Sequence, residues 1–363
     1  MSLEQERQNA RDIFHHLGYP TRKTENWKYT NVRDIVEFIE QNNARSAAAY
    51  TLSINEIPGV TVVPLLQAIK DPRIAKTIFG LNYSASHHHI IHPFLALNSA
   101  YFNAGVVITL QKGVHLAEPL RIQHFNQASA ASTEVRCLII AEADVRADIE
   151  IHYQGEPNAT YYCNIVQQFL VADRAHLNLK FLQDASQQAY LITHTLIQQA
   201  SASEVCSLQW DRGGKIVRND LEFYLQGERA RCEARGLYQM AATQHVDNHV
   251  TCEHWSPLTQ SRQFYRGVLQ EKAHAVFNGR VFVSKEAHKS ISQQLNNNLL
   301  LSSEAVVDTK PELEIYHDDV QCQHGATVGQ LDADALFYLR SRGISEEAAK
   351  QLLLEGFMQE ILN

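Results

Sequence analysis

Cys322 and His324 stand two positions apart within the stretch from Lys310 to Gly343, KPELEIYHDDVQCQHGATVGQLDADALFYLRSRG. In an extended chain alternate side chains leave the same face, so a thiol and an imidazole would project together. Such donors suit zinc, copper or iron-sulfur chemistry, but two of them do not close a metal site. Further ligands must come from elsewhere in the chain or from another subunit. A same-face cysteine can equally be a packing residue, and on residue types alone a structural histidine is the commoner case. Gly325 beside His324 sets the pair in a polar, loop-like context at the passage from strand to helix. Asp318 and Asp319 resemble a metal pair, yet adjacent acids in a strand point to opposite faces and do not converge on one ion, so they read as corner residues. A denser group, His245, His249, Cys252 and His254, divides in the same way, His245 with His249 and Cys252 with His254. A self-contained metal site there is the alternative to histidines bonded to neighbouring backbone. The run His87-His88-His89 with His92 could take adventitious metal and is assigned no physiological role.

The elements that must position these residues are of two kinds. Leu3, Ala10, Ile13, Phe14 and Leu17 fall at helical spacing ahead of Gly18 and Pro20, and Val32, Ile35, Val36 and Ile39 form a second stripe that Asn31 could cap. Residues 1–95 therefore read as a helical and irregular region. From about Ala104 the texture changes to short alternating runs, Val106 to Leu110, Leu120 to Gln123, Val135 to Ile140 and Ile149 to Tyr153, which is all-β spacing. An acidic residue followed within two positions by Ala or Val recurs, reaching Val145, Ala175, Val205, Ala230, Ala273, Ala287 and Ala305. Spacings of 30, 30, 25, 43, 14 and 18 suggest turns of a coil with drifting register. Periodicity alone does not separate a coil from a large sandwich or barrel. A β core over 96–320 is followed by a helical unit over 321–363, in which Asp332 and Ser345 cap two helices.

Composition narrows the function. Of 363 residues 45% are hydrophobic and 20% charged, and no apolar run approaches the length of about 18 that would suggest a membrane span. A net charge of -8 without any Lys/Arg-rich block argues against nucleic acid as a partner. The charged N-terminus has no apolar core of a secretory signal, and six scattered cysteines suit reduced thiols better than a disulfide framework, so a cytoplasmic location is expected. No phosphate-binding loop, dinucleotide fingerprint or nucleophile elbow is present, so the chain reads as non-enzymatic.

The stretch from Lys310 to Gly343 resembles the C-terminal signature of the SufB/SufD family of the Suf iron-sulfur cluster assembly system. Trp27-Lys28-Tyr29-Thr30-Asn31, Val276-Phe277-Asn278-Gly279-Arg280 and Asn296-Asn297-Asn298-Leu299-Leu300-Leu301 resemble further blocks of that family in the same order. The resemblance covers most of the chain. It implies a right-handed parallel β-helix core flanked by an N-terminal helical region and a C-terminal helical unit. It also implies a non-catalytic scaffold component that pairs with a SufB-like subunit and a SufC-like ABC ATPase, the latter docked by the C-terminal helices. By the same resemblance His324 faces the partner scaffold, and the iron-sulfur cluster is expected at their shared interface; Cys322, two residues away on the same face, is its natural companion there or a packing residue. Lys285 to Ser303 lacks a cysteine where the SufB branch is expected to carry its cluster-building one. That favours the SufD branch and implies that the isolated chain holds no cluster stably. Alone, the chain is expected to be able to form homodimers.

Overall fold

The computed structural model describes residues 3–42, 50–80, 92–127 and 131–362, so His87, His88 and His89 lie outside the described residues. From Val106 onward the chain alternates between two walls. One wall is a nine-stranded sheet of β2 (Val60–Pro64), β3 (Val106–Leu110), β5 (Ala131–Ala141), β7 (Tyr161–Val171), β9 (Tyr190–Gln199), β11 (Ile216–Leu225), β13 (His245–His254), β15 (His274–Val283) and β17 (Val306–Ile315). The other, also nine-stranded, holds β1 (Tyr50–Ile54), β4 (Leu120–Asn126), β6 (Arg146–Gly155), β8 (His176–Asp184), β10 (Glu204–Asp211), β12 (Arg231–Met240), β14 (Gln260–Leu269), β16 (Ile291–Leu300) and β18 (Gln321–Gly329). Each turn stacks on the last in parallel register: Ile216 lies opposite His245, and His245 opposite His274. The result is a parallel β-solenoid of about eight turns.

The acid-then-small pattern marks its corners. Val145, Ala175, Val205, Ala230 and Ala287 sit along one edge and Ala273 and Ala305 along the other, all buried. Mixing the two edges is what makes the spacing drift. The residue before several of these small ones is left-handed, as at Asp144 (φ 64), Arg174 (φ 57) and Arg229 (φ 61). That conformation is strained for a side chain, but it lets the Asp144 N–H donate to Asp173 O and the Arg174 N–H to Ser201 O, one turn further along. Corner backbone is thereby satisfied turn by turn, as buried polar groups require.

The two ends differ. At the N-terminal end β1 and β2 lie antiparallel on β4 and β3 and end the two sheets. These two strands fall inside the region the sequence reads as helical and irregular. At the C-terminal end β17 and β18 are the last strands of their sheets. Helices cover the flanks. α1 (Leu3–Leu17), α2 (Arg33–Gln41), α3 (Leu65–Ala68), α4 (Pro72–Gly80) and α5 (Pro93–Tyr101) belong to the N-terminal region, where Trp27, Ile35, Ile39 and Phe94 bury against Tyr162, Tyr190 and Ile192 of β7 and β9. α2 starts after Val32 with no side-chain cap; Asn31 Oδ1 instead accepts from the Arg33 N–H at 3.1 Å. After β18, α6 (Ala333–Ser341) is capped by Asp332, whose side chain accepts from the Asp334 and Ala335 N–H groups. α7 (Glu346–Leu362) follows, Ser345 Oγ accepting from the Ala348 N–H, and its Ile361 packs against Leu208 and Leu237 of β10 and β12. The helical unit thus begins at Ala333 and not at 321, because β18 continues the solenoid. Among the described residues no helix is long and apolar enough to cross a membrane.

Candidate functional site

Cys322 and His324 lie on β18, so His324 is a strand residue and not the loop residue its glycine neighbour suggested. They do share a face. Cys322 is in register with Ser292 and His324 with Gln294, both buried inside the coil, so the pair lies on the inner face of the final turn. With no further strand beyond β18 in its sheet among the described residues, that inner face is open, and His324 is exposed. Cys322 is half-buried against Val281, Val283 and Ala287 together with Leu313 and Val320. Burial raises its thiol above the ordinary range, and a hydrogen bond from the Ser292 backbone only partly offsets this. Cys322 at rest is therefore a packed, protonated thiol.

Asp318 and Asp319 are exposed in the corner joining β17 to β18. The backbone of Asp319 bonds locally, its N–H donating to His317 Nδ1 at 3.0 Å and its O accepting from the Lys289 N–H at 2.6 Å. Among the described residues no group of three or more His, Cys, Asp or Glu side chains is placed to hold a metal ion. Cys322 and His324 remain two donors on an open end, the incomplete set their spacing implies.

The second group divides as the strand period requires. His254 and Cys252 point into the coil with Val250, whereas His245 and His249 point out. Their bonds are to side chains, not to the backbone expected for histidines of this kind. His254 contacts Thr259 Oγ1 and Ser261 Oγ, each at 2.8 Å, and burial lowers its pKa to about 3. His245 Nε2 meets Thr30 Oγ1 at 2.8 Å and its pKa is lowered to about 4, burial outweighing the pull of Asp247. His249 Nε2 lies 3.0 Å from Asp247. Cys252 Sγ contacts Cys232 Sγ of the facing wall at 3.7 Å. The four residues do not converge.

Sequence reasoning did not find what His245 and Asp247 belong to. The segment Glu25–Asn31 straps across β11, β13, β15 and β17 on the outer face. Arg218 is 1% exposed beneath it, bonded to Asp220 through Nε and Nη2 and to Asp247 and Asn26 O through Nη1, with Trp27 stacked 4.5 Å from its guanidinium carbon. Thr30 Oγ1 donates to Asp247, and Lys310 on β17 reaches Glu25. Burial pushes the Asp220 and Asp247 carboxyls up, but Arg218 outweighs it and holds both well below the usual carboxylate range. His92 completes the cluster 3.2 Å from Asp220 and 5.2 Å from the Trp27 ring, so it is a structural histidine. Two of the blocks singled out in the sequence meet here, since Asn26 and Tyr29 line a narrow cleft with Asp247, His249, Val276 and Asn278. The third block, on β16, sends alternate side chains into the coil, where Asn296 donates to Tyr238 Oη at 3.1 Å and Asn298 to Asn296 at 2.7 Å, while Asn297 accepts from Thr327 Oγ1 on the outside.

The fold and site define a class: a parallel β-solenoid, ended by short antiparallel strands on one side and by parallel strands on the other, with a thiol and an imidazole on the inner face of the last parallel turn. Residues 124–357 match the family model described as the SufBD core domain of the SUF system for FeS cluster assembly. The chain belongs to the SufBD family of iron-sulfur cluster assembly proteins and is SufD-like within it. It is 30% identical over 360 residues to the iron-sulfur cluster assembly protein SufD of Escherichia coli, covering 95% of this chain and 85% of that one. An iron-sulfur cluster assembly SufBD family protein of Synechocystis is 29% identical over 99% of this chain and 87% of its own. One of Mycobacterium bovis is 27% identical over 94% and 84%.

Proposed function

We propose that this chain is a non-catalytic, cytoplasmic scaffold component that pairs through its open end with a SufB-like subunit and docks a SufC-like ABC ATPase on its C-terminal helices. The cluster is cargo, held at the shared interface by His324 and Cys322 together with ligands from the partner. The observation that carries this reading is the last turn. Leu313 and Ile315 of β17 and Cys322, His324 and Val328 of β18 occupy inner-face positions, yet no further turn covers them among the described residues. Strand edges and inner-face side chains of this kind call for a covering chain, and a solenoid of the same family offers a matching one. Phe337 and Tyr338 of α6, 73% and 57% exposed, support a second docking surface on the helical unit. Expressed without partners, the chain covers its open end with a second copy of itself.

The test is co-expression of the tagged chain with SufB-like and ATPase subunits of one organism, pull-down, and anaerobic reconstitution with iron and sulfide. A ternary complex whose cluster absorbance drops several-fold in His324→Ala, with the complex intact, is the expected result. A full cluster signal in that variant removes His324 from the site. A chain that captures neither subunit removes the scaffold reading altogether.

A further inference from the structure

We infer that Cys232 and Cys252 form an oxidation site, a buried thiol pair that a hydroperoxide converts to a disulfide joining the two walls of the solenoid. Both are free and inside the coil, 5% and 0% exposed, with sulfurs 3.7 Å apart. A disulfide needs about 2.05 Å, so the sulfurs must approach by roughly 1.6 Å. Both cysteines lie beside corners that join the two walls. Cys232 follows the corner joining β11 to β12, and Cys252 precedes the one joining β13 to β14, along the same edge. On the wall of β12 the inner row continues from Cys232 through Ser261 and Ser292 to Cys322. The cross-link would therefore fix the wall spacing three strands below the open turn.

The chemistry balances with one hydroperoxide. The sulfur of Cys232, the residue with the larger exposure of the two, attacks an O–O oxygen; an S–O bond forms, the O–O bond breaks, and the departing alkoxide takes the thiol proton as an alcohol, or as water from hydrogen peroxide. The Cys252 sulfur then attacks the sulfenic sulfur, forming the S–S bond, and hydroxide leaves with the second thiol proton as water. Two thiols lose two electrons and two protons, and the peroxide gains them. Burial raises the Cys232 thiol well above its ordinary range, so little thiolate is present and the reaction is slow beside that of an exposed cysteine.

The experiment uses the full chain carrying Cys206→Ser and Cys322→Ser, which removes the two half-buried thiols. It is exposed to hydrogen peroxide while folded, alkylated in denaturant and digested without reductant for mass spectrometry. The expected product is a peptide pair joined through Cys232 and Cys252, released by dithiothreitol, with two free thiols lost per chain and a higher melting temperature that Cys252→Ser does not show. Recovery of both cysteines alkylated after a dose that oxidises Cys206 in the unsubstituted chain would overturn the inference. So would their conversion to sulfinic acids without a linked peptide, a result that needs no further variant to fold.

Discussion

Asp211 shows what a single side chain costs inside a solenoid. It is fully buried among amides, accepting from Gln209 at 2.7 Å, Asn248 at 3.1 Å and Asn219 at 3.2 Å, and ion pairing plays no part in those bonds. Burial raises its pKa from 3.8 to about 6, and the three amides only limit the rise. The folded state then holds the proton more tightly than the unfolded chain does. Its contribution to stability is complete below pH 3.8 and is lost as pH climbs through about 6, a swing of about 3 kcal/mol by linkage. His124, His245 and His254, lowered to between about 3 and 4 mainly by burial, act in the opposite sense and take stability away as pH falls below 6.5. The wild-type curve alone therefore hides Asp211, and the comparison with Asp211→Asn exposes it. Denaturation midpoints should show the variant gaining on wild type between pH 4 and pH 8; a constant gap would mean that Asp211 does not titrate in that range.

The strap at Glu25–Asn31 is held by an ion cluster that no local pattern announces, since Arg218 bonds Asn26 across 192 positions and Thr30 bonds Asp247 across 217. The sequence did expose its ends: α1 and α2 follow from their apolar stripes, and the caps of α6 and α7 from Asp332 and Ser345. It did not expose α5, whose Pro93–Ala100 are buried all round and so leave no polar face to set a period. Nor did it expose β1 and β2: Tyr50, Leu52 and Ile54 do alternate with Thr51 and Ser53, but strands of five residues each are too short to stand out from the helical and irregular texture around them. At the open end the shared face of Cys322 and His324 was readable, because it follows from the strand period. Their placement on the final turn was not, because counting turns requires the corners to be sorted between two edges. Arg218→Met tests the strap as an element. It leaves Asp220 and Asp247 buried without their cation, which should cost about 3–5 kcal/mol and free the N-terminal segment for limited proteolysis. A variant that melts within 1 kcal/mol of wild type with an unchanged cleavage pattern would show that the cluster does not hold the strap.

For the whole molecule the decisive feature is the asymmetry of its ends. β1 and β2, antiparallel strands of five residues each, end the two sheets on one side, whereas β17 and β18, parallel strands of ten and nine residues, end them on the other and leave Val306, Ile315, Tyr316 and Val328 each between 42% and 51% exposed. Lysine on an edge is a recognised way of preventing strand pairing. Val306→Lys with Val328→Lys should therefore abolish both self-association of the isolated chain and capture of a SufB-like partner. Its melting temperature should stay within a few degrees of wild type, because these side chains are already about half solvated. Analytical ultracentrifugation of the chain alone, followed by pull-down from the co-expressed set, reads both effects. Loss of the SufB-like partner with retention of the ATPase is the informative pattern, since α6 and α7 lie beyond the edge strands and keep Phe337 and Tyr338 exposed. If the double variant still pairs with its partner at wild-type strength, the open turn is not the interface, and His324 loses the setting that gives it a role.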